Sequence, residues 1–231
     1  MIKVLFICWG NICLSPAAEL IFSDMVQREG LENELMATSA GVSNEEEGNP
    51  IYPPMRHLLY ERGLDCSSKQ ARKIRRSDYE DFDLLVCMDE VTIGRTSRFF
   101  DGDPDGKVKN LLDYAGRIGE EIDDPWYTRN FEKAMAEIEM GCRAMLDVLS
   151  GVVILDLSSC RTRAELYSVL HEGMDCPDWC GSNLEALWDM LTEPRYQSKR
   201  YRLILPPDES PVGSYARLVQ ETFREAGCLK E

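Results

Sequence analysis

The stretch from Val4 to Phe22 constrains this chain most. Val4-Leu5-Phe6-Ile7 is an apolar run of strand length. It passes without a break into Cys8-Trp9-Gly10-Asn11-Ile12-Cys13-Leu14-Ser15-Pro16, and Ala17-Ala18-Glu19-Leu20-Ile21-Phe22 then reads as a helix with proline near its first turn. A strand, a tight loop and a helix in that order turn successive backbone N–H groups into a concavity at the helix N-terminus. Such a concavity binds a phosphate dianion and favours a thiolate at its rim. Cys8 stands at that rim, Gly10 relaxes the curve, Asn11 can take a left-handed conformation or tie the loop internally, and the Ser15 hydroxyl can donate to the thiolate or to the leaving group.

Further strand-length apolar runs occur at Leu84 to Met88, Val152 to Leu157 and Tyr201 to Leu205, with helical spacing between them. This alternation predicts a parallel α/β architecture. Phe131, Met135, Ile138, Cys142, Met145 and Leu149 mark one face of a helix that stops at Ser150-Gly151, where a new strand begins. A domain boundary is therefore expected near 150, giving units 1–150 and 151–231, in keeping with 231 residues being long for one core.

Nine cysteines with no CxxC pair, only two histidines and no cleavable leader pattern point to reduced thiols in the cytoplasm and to no metal site or cofactor. The net charge of -15 argues against nucleic acid or an anionic membrane as partner. No stretch approaches the ~18 uninterrupted apolar residues of a membrane span. Residues 1–151 hold 17 basic and 28 acidic side chains and the rest 9 and 13, so the acidity is spread.

The loop from Cys8 to Ser15, with Pro16, Ala18 and Glu19, resembles that of the low-molecular-weight protein tyrosine phosphatase family, which reads Cys, five residues, Arg, Ser. The likeness continues through Thr38-Ser39-Ala40-Gly41, Arg56 to Ala71, Asp81-Phe82-Asp83, Met88-Asp89 and Asp124-Pro125-Trp126-Tyr127. It implies a doubly wound parallel four-stranded sheet with its site at the strand ends. It further implies a metal-free hydrolase acting on a phosphotyrosine protein, with Cys8 as nucleophile, Asp124 as general acid and base, and Ser15 assisting the thiolate. Trp9, Gly10, Asn11, Ile12, Cys13, Leu14 and Ser15 would form the phosphate-binding loop, Trp126 and Tyr127 the substrate mouth, and Cys13 a redox partner for Cys8.

Leu14 breaks the pattern, because it stands where the family places arginine. A guanidinium there grips two phosphoryl oxygens and follows them into the transition state; leucine does neither. Impaired activity, or a pseudophosphatase that only binds anions or phosphoprotein, is the expectation unless Arg72, Arg75 or Arg76 reaches the site.

A second run, Pro177-Asp178-Trp179-Cys180-Gly181-Ser182-Asn183-Leu184-Glu185-Ala186-Leu187-Trp188-Asp189, resembles the barstar family of ribonuclease inhibitors. Thr162 to His171 reads as a helix, Leu184 to Leu191 as another capped by Ser182 or Asn183, and Ser214 to Ala226 as a third. Leu184, Leu187 and Leu191 are expected inward. The resemblance implies a small α/β domain whose Trp179, Asn183, Glu185, Trp188, Asp189 and Thr192 face a small basic ribonuclease. The family's final strand has no evident counterpart in the sequence after Gly227.

Overall fold

The computed structural model describes residues 1–177 and 179–230, and it divides into two compact units, Met1–Leu146 and Asp147–Glu231. The division falls in the last turn of a helix, slightly before the expected position near 150. No helix among the described residues is long and apolar enough to cross a membrane.

The first unit runs β1 (Ile2–Cys8), α1 (Leu14–Arg28), β2 (Leu35–Gly41), α2 (Pro53–Glu61), α3 (Asp78–Asp81), β3 (Leu84–Cys87), α4 (Glu90–Phe99), β4 (Val108–Asn110), a 3₁₀ turn (Leu112–Ala115), α5 (Pro125–Thr128) and α6 (Phe131–Leu149). Its four strands are all parallel in the order β2-β1-β3-β4. β1 is thus flanked on both sides, and Val4 to Ile7 are fully buried, which is why the run is continuously apolar instead of alternating. The chain winds one way from β1 to β2 and the other way to β3. Between those strands, at their carboxyl ends, lies the crevice where such sheets place ligands.

β2 and β4 were not among the expected strands. β2 reads Leu-Met-Ala-Thr-Ser-Ala-Gly, too small and polar to signal a strand, and β4 has three residues. Both gain their conformation by pairing with a neighbour already in place, Ile2↔Leu35 through Cys8↔Gly41 and Leu85↔Val108 through Cys87↔Asn110.

The second unit contains β5 (Val152–Asp156), α7 (Arg163–Met174), α8 (Leu184–Leu191), α9 (Pro194–Gln197), β6 (Arg200–Ile204) and α10 (Gly213–Glu225). A capping box, Thr162 with Glu165, starts α7. β5 and β6 pair in parallel from Val152↔Arg200 to Asp156↔Ile204. Their inward side chains, Leu155, Tyr201 and Leu203, pack with Leu166, Leu170, Leu187, Leu191 and Phe223 into one core.

The missing final strand has a vestige after all. Tyr201 bridges Leu229 in parallel, with its N–H donating to the Cys228 carbonyl (2.8 Å) and its carbonyl accepting from the Lys230 N–H (2.7 Å). So short a pairing needs no apolar run, which is why nothing in the residues announces it.

Gly41, at the end of β2, backs directly onto the loop after β1. A Cβ there would lie 2.7 Å from the Trp9 carbonyl oxygen and 3.1 Å from the Asn11 nitrogen. Both are backbone atoms that cannot rotate aside. Gly41→Ala is therefore expected to lower stability by roughly 1–3 kcal/mol, the usual range for overpacking. Urea denaturation checks this, and an unchanged midpoint would show that the loop yields.

Candidate functional site

β1 delivers Cys8 to the edge of the crevice with only 5% of its surface exposed. The loop that follows is held from inside by Asn11, which is buried and left-handed at φ 59°. Its side-chain amide donates to the Ser15 Oγ (2.9 Å) and to the Ser39 Oγ (2.8 Å), while its Oδ1 accepts from the Arg72 N–H (3.0 Å). Its backbone N–H points back at the Cys8 sulfur (3.3 Å). Ser39 donates onward to Glu19 (2.6 Å), and Glu19 pairs with Lys69. One chain of polar contacts thus ties the loop to α1, β2 and the segment after α2.

Ser15 is fully buried, with its Oγ 2.9 Å from the Cys8 sulfur and 3.3 Å from the Ala40 carbonyl oxygen. Cys13 occupies the cap position of α1 and its side chain makes no capping bond, so the first N–H groups of that helix stay turned toward the loop. Burial pushes the Cys8 thiol above its ordinary value. Bonds from Ser15 and Asn11 pull it down, and the nearby Asp89 carboxylate adds to the rise. Cys13 is raised too, by burial and then by Cys8 and Asp124.

Cys8, Cys13 and Asp124 share the lining of one cleft of about 560 Å³, with Leu14, Trp9, Trp126 and Tyr127 among its other walls. Asp124 accepts from the Trp126 N–H (2.9 Å), which caps α5 and fixes the carboxylate beside the aromatic pair. Trp126 is half exposed and Tyr127 82% exposed, so both stand at the mouth. Leu14, the first residue of α1, is buried at 3% exposure. The remaining acids of the lining are Glu45, Glu46, Asp89, Glu121 and Asp123; among the described residues no lysine or arginine lines the cleft.

Arg72, Arg75 and Arg76 do not line the cleft. Arg72 pairs with Asp78 (2.9 Å) and Arg76 with Asp101 (2.6 Å), and Arg72 and Arg75 border a separate hollow with Lys3. Local acids hold the two paired arginines.

Sequence reasoning missed two participants. Tyr52 meets Trp126 edge to face (5.1 Å between centroids) and stacks on Phe131 (5.8 Å), and its N–H donates to the Ile12 carbonyl of the loop (2.8 Å). Asp89 caps α4 through the Thr92 N–H (2.7 Å) while facing Cys8. The Asp-x-x-Thr spacing at a helix start was the available signal for Asp89.

In the second unit, Asn183 caps α8 by accepting from the Ala186 N–H (2.9 Å), which resolves the choice between Ser182 and Asn183. Leu187, Met190 and Leu191 face inward; Leu184 is only partly buried, because the first turn of α8 rises out of the core and Met190 takes the inner position. Glu185, Trp188, Asp189 and Thr192 follow the three- and four-residue spacing of one helix face, and all are exposed. Trp179, 75% exposed, and Asn183 precede them. Asp178, named in the same run, lies outside the described residues.

The parallel order β2-β1-β3-β4, with a cysteine loop at the switch between β1 and β3, defines a class: a phosphatase-type α/β unit built around that loop. The chain belongs to the low molecular weight phosphotyrosine protein phosphatase family, whose sequence model matches residues 3–153. The model of the barstar (barnase inhibitor) family matches residues 151–226. A low molecular weight protein-tyrosine-phosphatase of Bacillus subtilis, YfkJ, is 37% identical over 147 residues, 63% of this chain and 94% of the relative. The low molecular weight phosphotyrosine protein phosphatase of Gallus gallus is 33% identical over 158 residues, 63% of this chain and 94% of that one. The crystal structure of YfkJ superposes with a TM-score of 0.63 at 36% identity, covering 65% of this chain and 96% of its own.

A thiol raised above its ordinary value of 9.0 is neutral at physiological pH and reacts slowly. Alkylation of Cys8 by iodoacetamide is therefore expected to climb steadily through pH 9. A plateau already reached at neutral pH would mean that the loop holds a thiolate.

Proposed function

We propose that the first unit is a tyrosine phosphatase that keeps the cysteinyl-phosphate machinery of its family but has lost most of its turnover. In this reading the Cys8 thiol first gives up its proton to solvent, and the thiolate forms the sulfur–phosphorus bond as the bond from phosphorus to the aryl oxygen breaks. Asp124 gives its proton to the departing phenolate, then takes one from the water that releases phosphate. Ser15, 2.9 Å from the sulfur, stabilises the thiolate as it forms and leaves. The amides of the loop and of the first turn of α1 hold the phosphoryl oxygens. The substrate class this implies is a phosphotyrosine protein, its ring held between Trp126 and Tyr127.

One observation carries the impairment. The cleft is lined by six carboxylates and, among the described residues, by no lysine or arginine, with Leu14 buried where the guanidinium belongs. Charge that develops on the phosphoryl oxygens meets amide dipoles but no cation at the floor. A guanidinium clamp contributes about 10³ to 10⁵ in phosphoryl transfer, so hydrolysis of p-nitrophenyl phosphate by the wild type should be weak. Leu14→Arg should raise it by about a hundredfold or more, and Cys8→Ser should abolish what the variant gains. No gain on Leu14→Arg would reject the reading in favour of a loop that never catalyses.

For the second unit the reading is a nuclease-binding face. It is supported by two exposed indoles, Trp179 and Trp188, flanking exposed Asp189 and Glu185, since surface tryptophans beside acids are what a desolvated contact with a basic protein uses. Asp189 would enter the phosphate site of a small basic ribonuclease. Asp189→Ala is expected to weaken capture of such a nuclease about thirtyfold or more in a surface-binding titration, the scale of an interface hot spot. Equal affinity of the two proteins, or no binding by either, would count against it.

A further inference from the structure

The cleft that lost a guanidinium from its loop has two at its mouth. Arg95 lies 4.2 Å from the ring centroid of Trp9 and Arg129 lies 5.4 Å from that of Trp126, and both indoles line the cleft. Neither arginine has a carboxylate partner within ion-pair distance among the described residues, in a chain of net charge -15 where Arg72, Arg76 and Arg117 are all paired.

Arg129 is set apart by its backbone. Among the described residues, four non-glycine residues have positive φ, between 57° and 60°: Asn11, Asp101, Asp175 and Arg129. Asparagine and aspartate tolerate this region because their short polar side chains bond locally; arginine has no such compensation. Glycine would turn the chain after α5 without strain, so the arginine keeps a cost that no packing explains, since it is exposed. Strain that persists beside a functional group invites a functional reading.

The position fits one. Arg129 follows Asp124 by five residues across α5, and its guanidinium donates to the Tyr52 hydroxyl (3.5 Å). Tyr52 in turn is bonded to the loop through Ile12. The cation is therefore linked to both halves of the site, the cradle and the aromatic mouth.

We infer that Arg129 is the anion-gripping residue of this cleft, holding a bound phosphate or phosphoryl dianion from the mouth while the loop amides hold it from the floor. This rests on the reading of the loop as a phosphate cradle. To reach the anion, the side chain exchanges its contact with the Trp126 face for a charge-assisted hydrogen bond, the stronger of the two. A grip from the mouth holds the ground state and the transition state alike, so it supports binding more than turnover.

The test is calorimetric titration of inorganic phosphate into the full chain, as wild type, Arg129→Gly, Arg129→Lys and Arg95→Ala, with Tm measured for each. The wild type should bind. Arg129→Gly should weaken binding about tenfold or more while Tm holds or rises, because glycine relieves the left-handed turn. Arg129→Lys should retain part of the affinity, and residual p-nitrophenyl phosphate hydrolysis should show the Arg129→Gly loss in KM rather than kcat. Phosphate affinity unchanged in Arg129→Gly, or lost instead in Arg95→Ala, overturns the assignment and leaves the cradle standing. No binding by the wild type, with binding gained in Leu14→Arg, overturns the Arg129 assignment alone; no binding by either protein overturns both.

Discussion

The first unit depends on one buried amide. Asn11 sits left-handed inside the loop and satisfies both ends of its side chain, so the loop, the start of α1, the end of β2 and the Arg72 backbone share a single polar centre. Buried donors and acceptors left without partners are costly, and a fully satisfied network specifies one arrangement. The curvature of the loop is therefore held by contacts that do not involve position 14. The loop holds this shape with Leu14 buried at the start of α1. Shape and chemistry are separable here because different residues carry them.

That separation sets the character of the cleft. Leu14, Ile12 and Cys13 line the cleft together with six carboxylates, and among the described residues no lysine or arginine lines it. Burial and Asp89 both favour the neutral thiol, and only the Ser15 and Asn11 bonds oppose them. The cleft brings a buried thiol and a carboxylate together, and no lysine or arginine among the described residues lines it to lower the thiol.

Much of this was legible in the sequence, for stated reasons. β1 is flanked on both sides and therefore apolar throughout; α6 and α8 each bury one stripe and therefore show helical spacing; Asn183 caps a helix and therefore precedes an apolar run. What was not legible depends on partners far away in the chain. β2 is a strand because β1 pairs with it, Leu229 because Tyr201 does, and Tyr52 joins the mouth because Trp126 and Phe131 fold over it. The left-handed turn at Arg129 has no signal at all, since an arginine does not announce positive φ. Likewise the pairing of Arg72 with Asp78 and of Arg76 with Asp101, which takes both out of contention for the cleft, is decided by local acids that the loop motif does not mention.

The short parallel bridge between Tyr201 and Leu229 carries a consequence for how the chain assembles during synthesis. The sheet of the first unit has every strand in hand once Asn110 has left the ribosome, and α6 completes its cover by Leu149. β6 lies between β5 and the 228–230 segment, so the middle of its small sheet stays open on one side until that segment arrives. The phosphatase unit is thus able to mature while the inhibitor-like unit is still an open edge, and a nascent chain would hold a finished cradle before it presents a finished acidic face.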